Sequence, residues 1–284
     1  MMRVRVVRLW LALATLAVAS AAGAQAPNPE PETGSQAQGF NAYESFRGSV
    51  DSVGTVLKLD SSAGYDFNQH VGVFAGVPLY FSHDSEIIAG EGSRQRTGMG
   101  DIYFGGDLYL PSRAADFTTT LTIGAPTGSV ANGFGTGHTT ADWSNRLRKK
   151  LGPLAPFAVA GVSNSVPDTE TLTRTFSSLG NLFHFEEGAD FDVSRRVYVG
   201  ASAYQIVPFG SQQVFDRLAD DRNLAATGSD SIRENGFDAW IGFEPTRTMR
   251  TEIGYSRSAT FAVNRISFNL SLNVGRLLRL RRHQ

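Results

Sequence analysis

The chain has no cysteine, which excludes disulfides, thiolate metal sites and a lipid-modified N-terminal cysteine. It carries almost no net charge, −1 over 284 residues, so it lacks the electrostatic footprint of a nucleic-acid partner. Beyond residue 22 no long apolar run occurs, and mean hydropathy is −0.16. A helical membrane protein needs about 20 consecutive apolar residues per span. Histidine is scarce as well: His70, His83, His138, His184 and His283 are scattered without metal-ligand spacing. Neither a metal nor a cofactor is expected.

What is present begins at the N-terminus. Arg3, Arg5 and Arg8 precede an apolar run from Leu9 to Ala22, then small residues that allow cleavage after Ala24 or Ala26. This is the order of a secretory signal peptide, and its apolar run is too short for a permanent span. Residues 1–26 read as that signal, and residues 27–39 as a flexible leader rich in Pro, Glu, Gln and Gly.

From residue 40 onward the dominant pattern is strict alternation, with no amphipathic helix. In Val56–Phe67, Leu57, Leu59, Ala63, Tyr65 and Phe67 share one face, and Lys58, Asp60, Ser62, Gly64 and Asp66 the other. The same code runs through segments 71–81, 100–110, 117–126, 139–151, 183–192, 197–207, 237–244 and 252–256. It closes with Ile266, Phe268, Leu270, Leu272 and Val274 against Arg265, Ser267, Asn269, Ser271 and Asn273. Asn145 and Lys149 fall on the apolar face of their segment, and residues 156–165 are small and apolar on both faces.

Connection lengths alternate too. Short links (68–70, 111–116, 152–155, 194–196, 245–249) interleave with long ones (82–98, 127–138, 164–178, 209–234). An outer-membrane barrel has this plan, with turns in the periplasm and loops outside. The short link 258–262 is an exception. Since 68–70 is a periplasmic turn, an upward strand must precede the first clear one, and the weakly patterned Phe40–Val50 supplies it. Parity therefore gives about twelve strands.

Alternation alone also fits a secreted β-sandwich. Three features favour an all-β, antiparallel, up-and-down transmembrane barrel over residues 40–280, followed by a basic tail at 281–284. The polar face mixes Asp, Arg, Thr, Ser, Gly and Tyr, as an aqueous lumen requires. The links are asymmetric. Aromatics fall near strand ends (Tyr65, Phe67, Phe81, Phe117, Phe157, Phe191), where interfacial girdles sit. Register is also enforced, because slipping Val56–Phe67 by one residue would place Lys58, Asp60 and Asp66 in lipid. The lysine alone would cost about 2–4 kcal/mol at the midplane.

The signal peptide, dyads such as VLKLDSSAGYDF and the closing RISFNLSLNV resemble outer-membrane β-barrel proteins of Gram-negative bacteria. More loosely, the chain is similar to outer-membrane transporters assigned to a phenol-degradation pathway. The resemblance implies transport across the outer membrane, with lipid as the surroundings and a small solute as cargo. It departs at the C-terminus, where such barrels usually end on an aromatic residue; here the last aromatic is Phe268, and Leu278 and Leu280 lead into the basic tail.

No catalytic constellation stands out. Gly133–Gly137 lacks the lysine and helix of a phosphate loop and reads as an outer loop. His138 heads the strand carrying Ser144, a pair of types used by outer-membrane phospholipases. Six strand residues span about 20 Å, so the two cannot form a dyad with each other. Asp216, Asp220, Asp221 and Asp230 match no EF-hand and read as a solvated acidic loop. The remaining candidate is the lumen, with inward Lys58, Asp60, Asp101, Asp107, Asp142, Arg146, Arg148, Glu186, Asp190, Glu252 and Arg265. These charges either line a selective pore or pair across the interior and close it. Gly64, Gly72, Gly76, Gly188 and Gly254 are expected to leave space there; Phe74, Tyr80, Tyr103, Tyr109 and Trp240 are expected to fill it. The leading expectation is passive diffusion of a small solute. A non-conducting barrel that binds through its outer loops comes second, and a lipid hydrolase third. The oligomeric state is left open.

Overall fold

A computed structural model describes residues 38–84, 95–166, 168–169, 172–218, 223–224, 232–246 and 248–274. The signal peptide, nearly all of the leader, the basic tail, and Asp220, Asp221 and Asp230 lie outside the described residues.

The strands that make the wall are β1 (Gly39–Val50), β2 (Gly54–Asp66), β3 (Val71–Asp84), β4 (Gln95–Met99), β5 (Tyr103–Leu110), β6 (Asp116–Gly124), β7 (Thr140–Arg148) and β8 (Leu154–Ser163). After a short loop strand, β9 (Phe176–Leu179), come β10 (Leu182–Asp192) and β11 (Val197–Pro208). Two more loop strands, β12 (Gln213–Asp216) and β13 (Asn223–Leu224), precede β14 (Glu234–Thr246), β15 (Met249–Ser258) and β16 (Asn264–Asn273). Every wall strand pairs antiparallel with its neighbours. Pairing of β1 with both β2 and β16 closes a twelve-stranded barrel with β4 as an extra strand. Closure removes the sheet edges, which an open sheet would have to cover or charge, except along β4, which pairs only with β3. Phe40–Val50 thus forms the strand that parity demands.

The extra strand comes from a bulge. Leu79 of β3 faces Met99 of β4, and Gly76 of β3 faces Tyr103 of β5. Between those pairs Val77 and Pro78 oppose three residues, Gly100, Asp101 and Ile102. Pro78 accepts a hydrogen bond from the Gly100 N–H at 2.8 Å. A proline has no N–H to return toward that neighbour, and a bulge is where a sheet tolerates one. The link between β3 and β4 is accordingly shorter than the expected 82–98, because β3 runs to Asp84 and β4 starts at Gln95.

The barrel is inside-out relative to a soluble protein. Ser45, Arg47 and Ser49 of β1 and Lys58, Asp60 and Asp66 of β2 are buried inside. Their sequence neighbours point outward, and Ile253 and Ile266 are 61% and 62% exposed. Tyr65, Phe104, Leu121, Trp143 and Ile241 join them on an apolar outer face that exceeds the few hundred Å² a soluble monomer tolerates. Some polar groups on that face pair with one another. Ser61 donates to Glu44 at 2.7 Å, and the Trp143 indole donates to Thr119 at 2.8 Å. Phe157, expected in an outer girdle, is instead buried on the inner face of β8. Apolar residues on both faces of that segment had hidden its register.

Candidate functional site in the barrel lumen

Two structures in the lumen were not visible in the alternation. The first is the seating of aromatic rings on glycines. Seven inward rings lie over a glycine directly opposite on the next strand: Tyr103 on Gly76, Phe74 on Gly105, His184 on Gly161, Phe157 on Gly188, Tyr198 on Gly242, Trp240 on Gly200 and Tyr204 on Gly236. A Cβ at each of these glycines would collide with the ring. The expectation that Gly76 and Gly188 leave space is therefore corrected: rings occupy the space above both, and the Asp66 and Asp107 carboxylates crowd Gly72. The same seating keeps bulky side chains flat against the wall instead of projecting toward the axis.

The second is a lid. The loop after β8 and the loop after β11 pair with each other, Gln213–Asp216 running antiparallel to Phe176–Leu179, and β13 adds to β12. An apolar cluster of Val166, Leu182, Ile206 and Ile232, with Phe176 and Val214 against it, joins the lid to the tops of β10 and β11. The loop after β6 folds inward as well. Phe134 is buried with its ring stacked on Tyr80, centroids 5.7 Å apart. Gly133, at φ +69°, presses on the Asp216 carbonyl where a side chain would not fit. The glycine-rich stretch is thus an outer loop packed into the mouth of the lumen.

Buried ionic contacts fasten the lid. Asp168 accepts from the Tyr80 hydroxyl at 2.7 Å and from Arg217 at 3.2 Å, and Lys58 lies 3.7 Å away. Burial alone would raise the Asp168 carboxyl; the charges of Arg217 and Lys58 outweigh it and hold the group well below the ordinary carboxylate range. Lys58 also pairs with Asp60 at 2.9 Å, and Asp60 accepts from Tyr103 at 2.8 Å. Arg47 bridges Asp60, at 3.2 Å, to the Thr169 carbonyl, at 2.7 Å. On the far side Arg174 and Glu234, both fully buried, meet at 2.6 Å. Tyr204 donates to Glu234 at 2.8 Å. Burial lowers the Arg174 pKa by itself, but Glu234 more than restores it. Arg265 ties Asp51 at 2.9 Å to this group and stands 3.7 Å from Glu234.

The other inward charges divide by depth. Toward the outer end, Asp101, aimed by the bulge, accepts from the Gly128 and Thr136 N–H groups at 2.8 and 3.3 Å. Asp142 holds His184 at 2.7 Å. Toward the short-turn end, Arg148 pairs with Asp190 at 3.0 Å with its side chain 25% exposed, and Trp240 donates to Asp190 at 3.1 Å. Glu252 pairs with Arg250, 34% exposed, at 3.2 Å and accepts from Tyr198 at 2.6 Å. The Arg146 guanidinium lies 4.5 Å over Phe157. Glu186 and Asp107 are half-buried on the inner faces of β10 and β5. Arg47, Asp168, Arg174, Arg217 and Glu234 belong to the site and were missed. Asp168, Arg174 and Arg217 sit in long loops where no periodicity marks an inward residue, while Arg47 and Glu234 lie on strands too weakly patterned at those points. Asp216 forms a local turn by accepting from the Leu218 N–H at 2.7 Å.

A cavity of about 130 Å³ lies between lid and wall, bordered by the inner faces of β2, β3 and β5 to β8 and by Phe134, Asp168, Ser177 and Arg217. Among the described residues no cluster of three or more His, Asp or Glu could hold a metal ion.

No family model matches the chain, and no curated protein matches it in sequence. Among solved structures, the COG4313 outer membrane channel from Pseudomonas putida F1 is similar with a TM-score of 0.61 at 13% identity, covering 87% of this chain and all (100%) of that one. The KdgM porin reaches 0.48 at 8% identity, covering 81% and 98%. The transport unit of the autotransporter AIDA-I from Escherichia coli reaches 0.46 at 14%, covering 87% and 92%. At such identities the likeness is one of fold: this chain is a closed antiparallel barrel built as outer-membrane barrels are.

Proposed function

We propose that the chain spans the bacterial outer membrane and passes a small solute by diffusion, with the lumen charges setting selectivity and the lid setting how far the mouth opens. One observation carries this reading. Toward the short-turn end the lumen is lined by solvent-reached charges such as Arg148 and Arg250, with its rings seated flat on glycines, all inside an apolar outer face. Charges that keep contact with water inside a barrel are what an aqueous conduit uses to select ions. The fold likeness to an outer membrane channel supports the same reading. Export by a signal peptide cleaved after Ala24 or Ala26 belongs to it and is checked by sequencing the mature N-terminus.

The test is single-channel recording of the refolded protein in a planar bilayer, after heat-modifiable gel migration has shown a folded barrel. Discrete steps whose ion selectivity changes when Arg146 or Asp101 is neutralised are the expected result. A folded barrel without steps would overturn it in favour of a second reading, a non-conducting barrel that binds through its outer loops. The fully buried Arg174–Glu234 pair, which fastens the lid, favours that alternative. A lipid hydrolase built on Ser144 and His138 has less support. The His138 ring bonds within its own turn, 3.1 Å from the Thr136 carbonyl, and no hydrogen bond joins it to Ser144.

A further inference from the structure

The cavity under the lid has an uneven supply of polar partners. Of its three carboxylates, Asp168 is matched by Tyr80, Arg217 and Lys58, and Asp101 by two backbone N–H groups. Asp142 differs. Its Oδ1 is bonded to His184, and its Oδ2 is buried with no hydrogen-bond partner among the described residues. Thr122, directly opposite Asp142 on β6, and Ser177 on the lid also bury hydroxyls without a partner. All three residues line the cavity and are more than nine-tenths buried. Buried polar atoms in native proteins are almost always satisfied, so each such exception calls for a partner.

The missing partner must be a donor, because an ionised carboxylate oxygen only accepts. By formal charge, with His184 neutral on Asp142 Oδ1, Lys58 and Arg217 face Asp101, Asp142 and Asp168 around the cavity, an excess of one negative charge. Arg217 also has an unpartnered Nε, but its guanidinium stacks 4.4 Å over Tyr80 and is held by Asp168, so its charge is already met. Pro78, Tyr103, Phe134 and Val166 supply apolar walls beside these polar atoms. A space of 130 Å³ compares with cavities that hold a ring of about six heavy atoms.

We propose that this cavity binds a small organic cation, a primary or methylated ammonium of up to about six heavy atoms, with the Asp142 carboxylate as its counter-ion. An ammonium carries up to three donors, which Asp142 Oδ2 and the Thr122 and Ser177 hydroxyls can accept, while its alkyl part meets the apolar walls. Because Ser177 belongs to β9 and Thr122 to the wall, the bound cation also links lid to barrel. The inference deepens the channel reading by naming a solute class, and depends on it only for the route of entry.

The probe is ethylammonium chloride, compared with potassium chloride and potassium acetate at equal ionic strength. It is read as the midpoint of thermal unfolding by gel migration and as saturable block of single-channel current. Ethylammonium alone is expected to raise the midpoint. Asp142→Asn is expected to weaken its apparent affinity tenfold or more, and Thr122→Val severalfold. No shift with ethylammonium, or the same shift from potassium, overturns the proposal and leaves the cavity to water. If Asp142→Asn fails to fold, Thr122→Val and the salt comparison on the unaltered protein still decide the question. A shift that survives in a barrel giving no current supports the site while overturning the channel reading, so the two failures are separable.

Discussion

The outer and the short-turn ends of the lumen are written in the same code, alternate inward residues of both signs on antiparallel strands, yet they have become different environments. Near the mouth, three inward-folded loops cover the charges, and the Arg174–Glu234 pair is fully withdrawn from solvent. At the other end the links are tight turns that cannot reach inside, and Arg148 and Arg250 keep a quarter to a third of their side-chain surface in water (25% and 34%). Loop length rather than strand sequence makes the difference. The carboxylate partners of these two arginines, Asp190 and Glu252, are buried. Their pairs therefore lie between a surface pair, worth about 0–1 kcal/mol, and a fully buried one, whose breaking strands a charge and costs about 3–5 kcal/mol. In the proposed channel, charge at the mouth would act as a latch, and charge further in would tune which ions pass without holding anything shut.

Breaking the latch is the strongest way to test this contrast. Arg174→Met should cost the closed lid about 3 kcal/mol, the low end for an orphaned buried charge, because Tyr204 and Arg265 still attend Glu234. Limited proteolysis should then cut within residues 172–179 or 213–218, and open-channel current should rise. Arg148→Met at the wetted end should do neither and should change only the reversal potential. Equal proteolytic sensitivity in both variants would mean that the lid is not held by its buried ions. A smaller effect is expected from the ring seats. Gly242→Val would push the Tyr198 ring off the wall, with an overpacking cost of about 1–3 kcal/mol. Its main consequence should be a lower conductance with unchanged lid sensitivity. Undiminished conductance would show that the ring finds another place along the wall.

How much of this was legible in the sequence follows from what each feature leaves in the pattern. The wall was readable because a one-residue slip exchanges the apolar outer and polar lumen faces, so every position on β2 and β3 is constrained; the outward pairs Leu57–Phe81, Leu59–Leu79 and Tyr65–Val73 follow from the alternation. Parity alone recovered β1. The bulge at Gly100–Ile102 was invisible, since one extra residue beside Pro78 looks like continued strand. The lid left no trace, because two- to four-residue strands inside long loops have no period to detect. The glycine seats were misread for a physical reason: composition says that glycine lacks a side chain, but only cross-strand register says whose ring takes the space.

The weakest response, and the most discriminating between latch and tuning, is to pH. The Asp168 carboxyl would be raised by its burial, but Arg217 and Lys58 outweigh that and leave it well below the unfolded value of about 3.9. A carboxyl depressed in the folded state contributes its full stabilisation above the unfolded value and loses it only as pH falls through the folded one. Between pH 7 and 5 the lid should therefore stay shut, with unchanged proteolysis of residues 172–179 and 213–218 and unchanged closed dwell times. Loosening should begin only well below pH 4. Asp168→Asn should leave a smaller acid transition, carried by the Arg174–Glu234 pair, since its own contact with Arg217 and Lys58 is already lost at neutral pH. A lid that opens between pH 7 and 5 would place the latch on a group other than Asp168, and the mouth would then differ from the rest of the lumen in its titrating group instead of in the burial of its ion pairs.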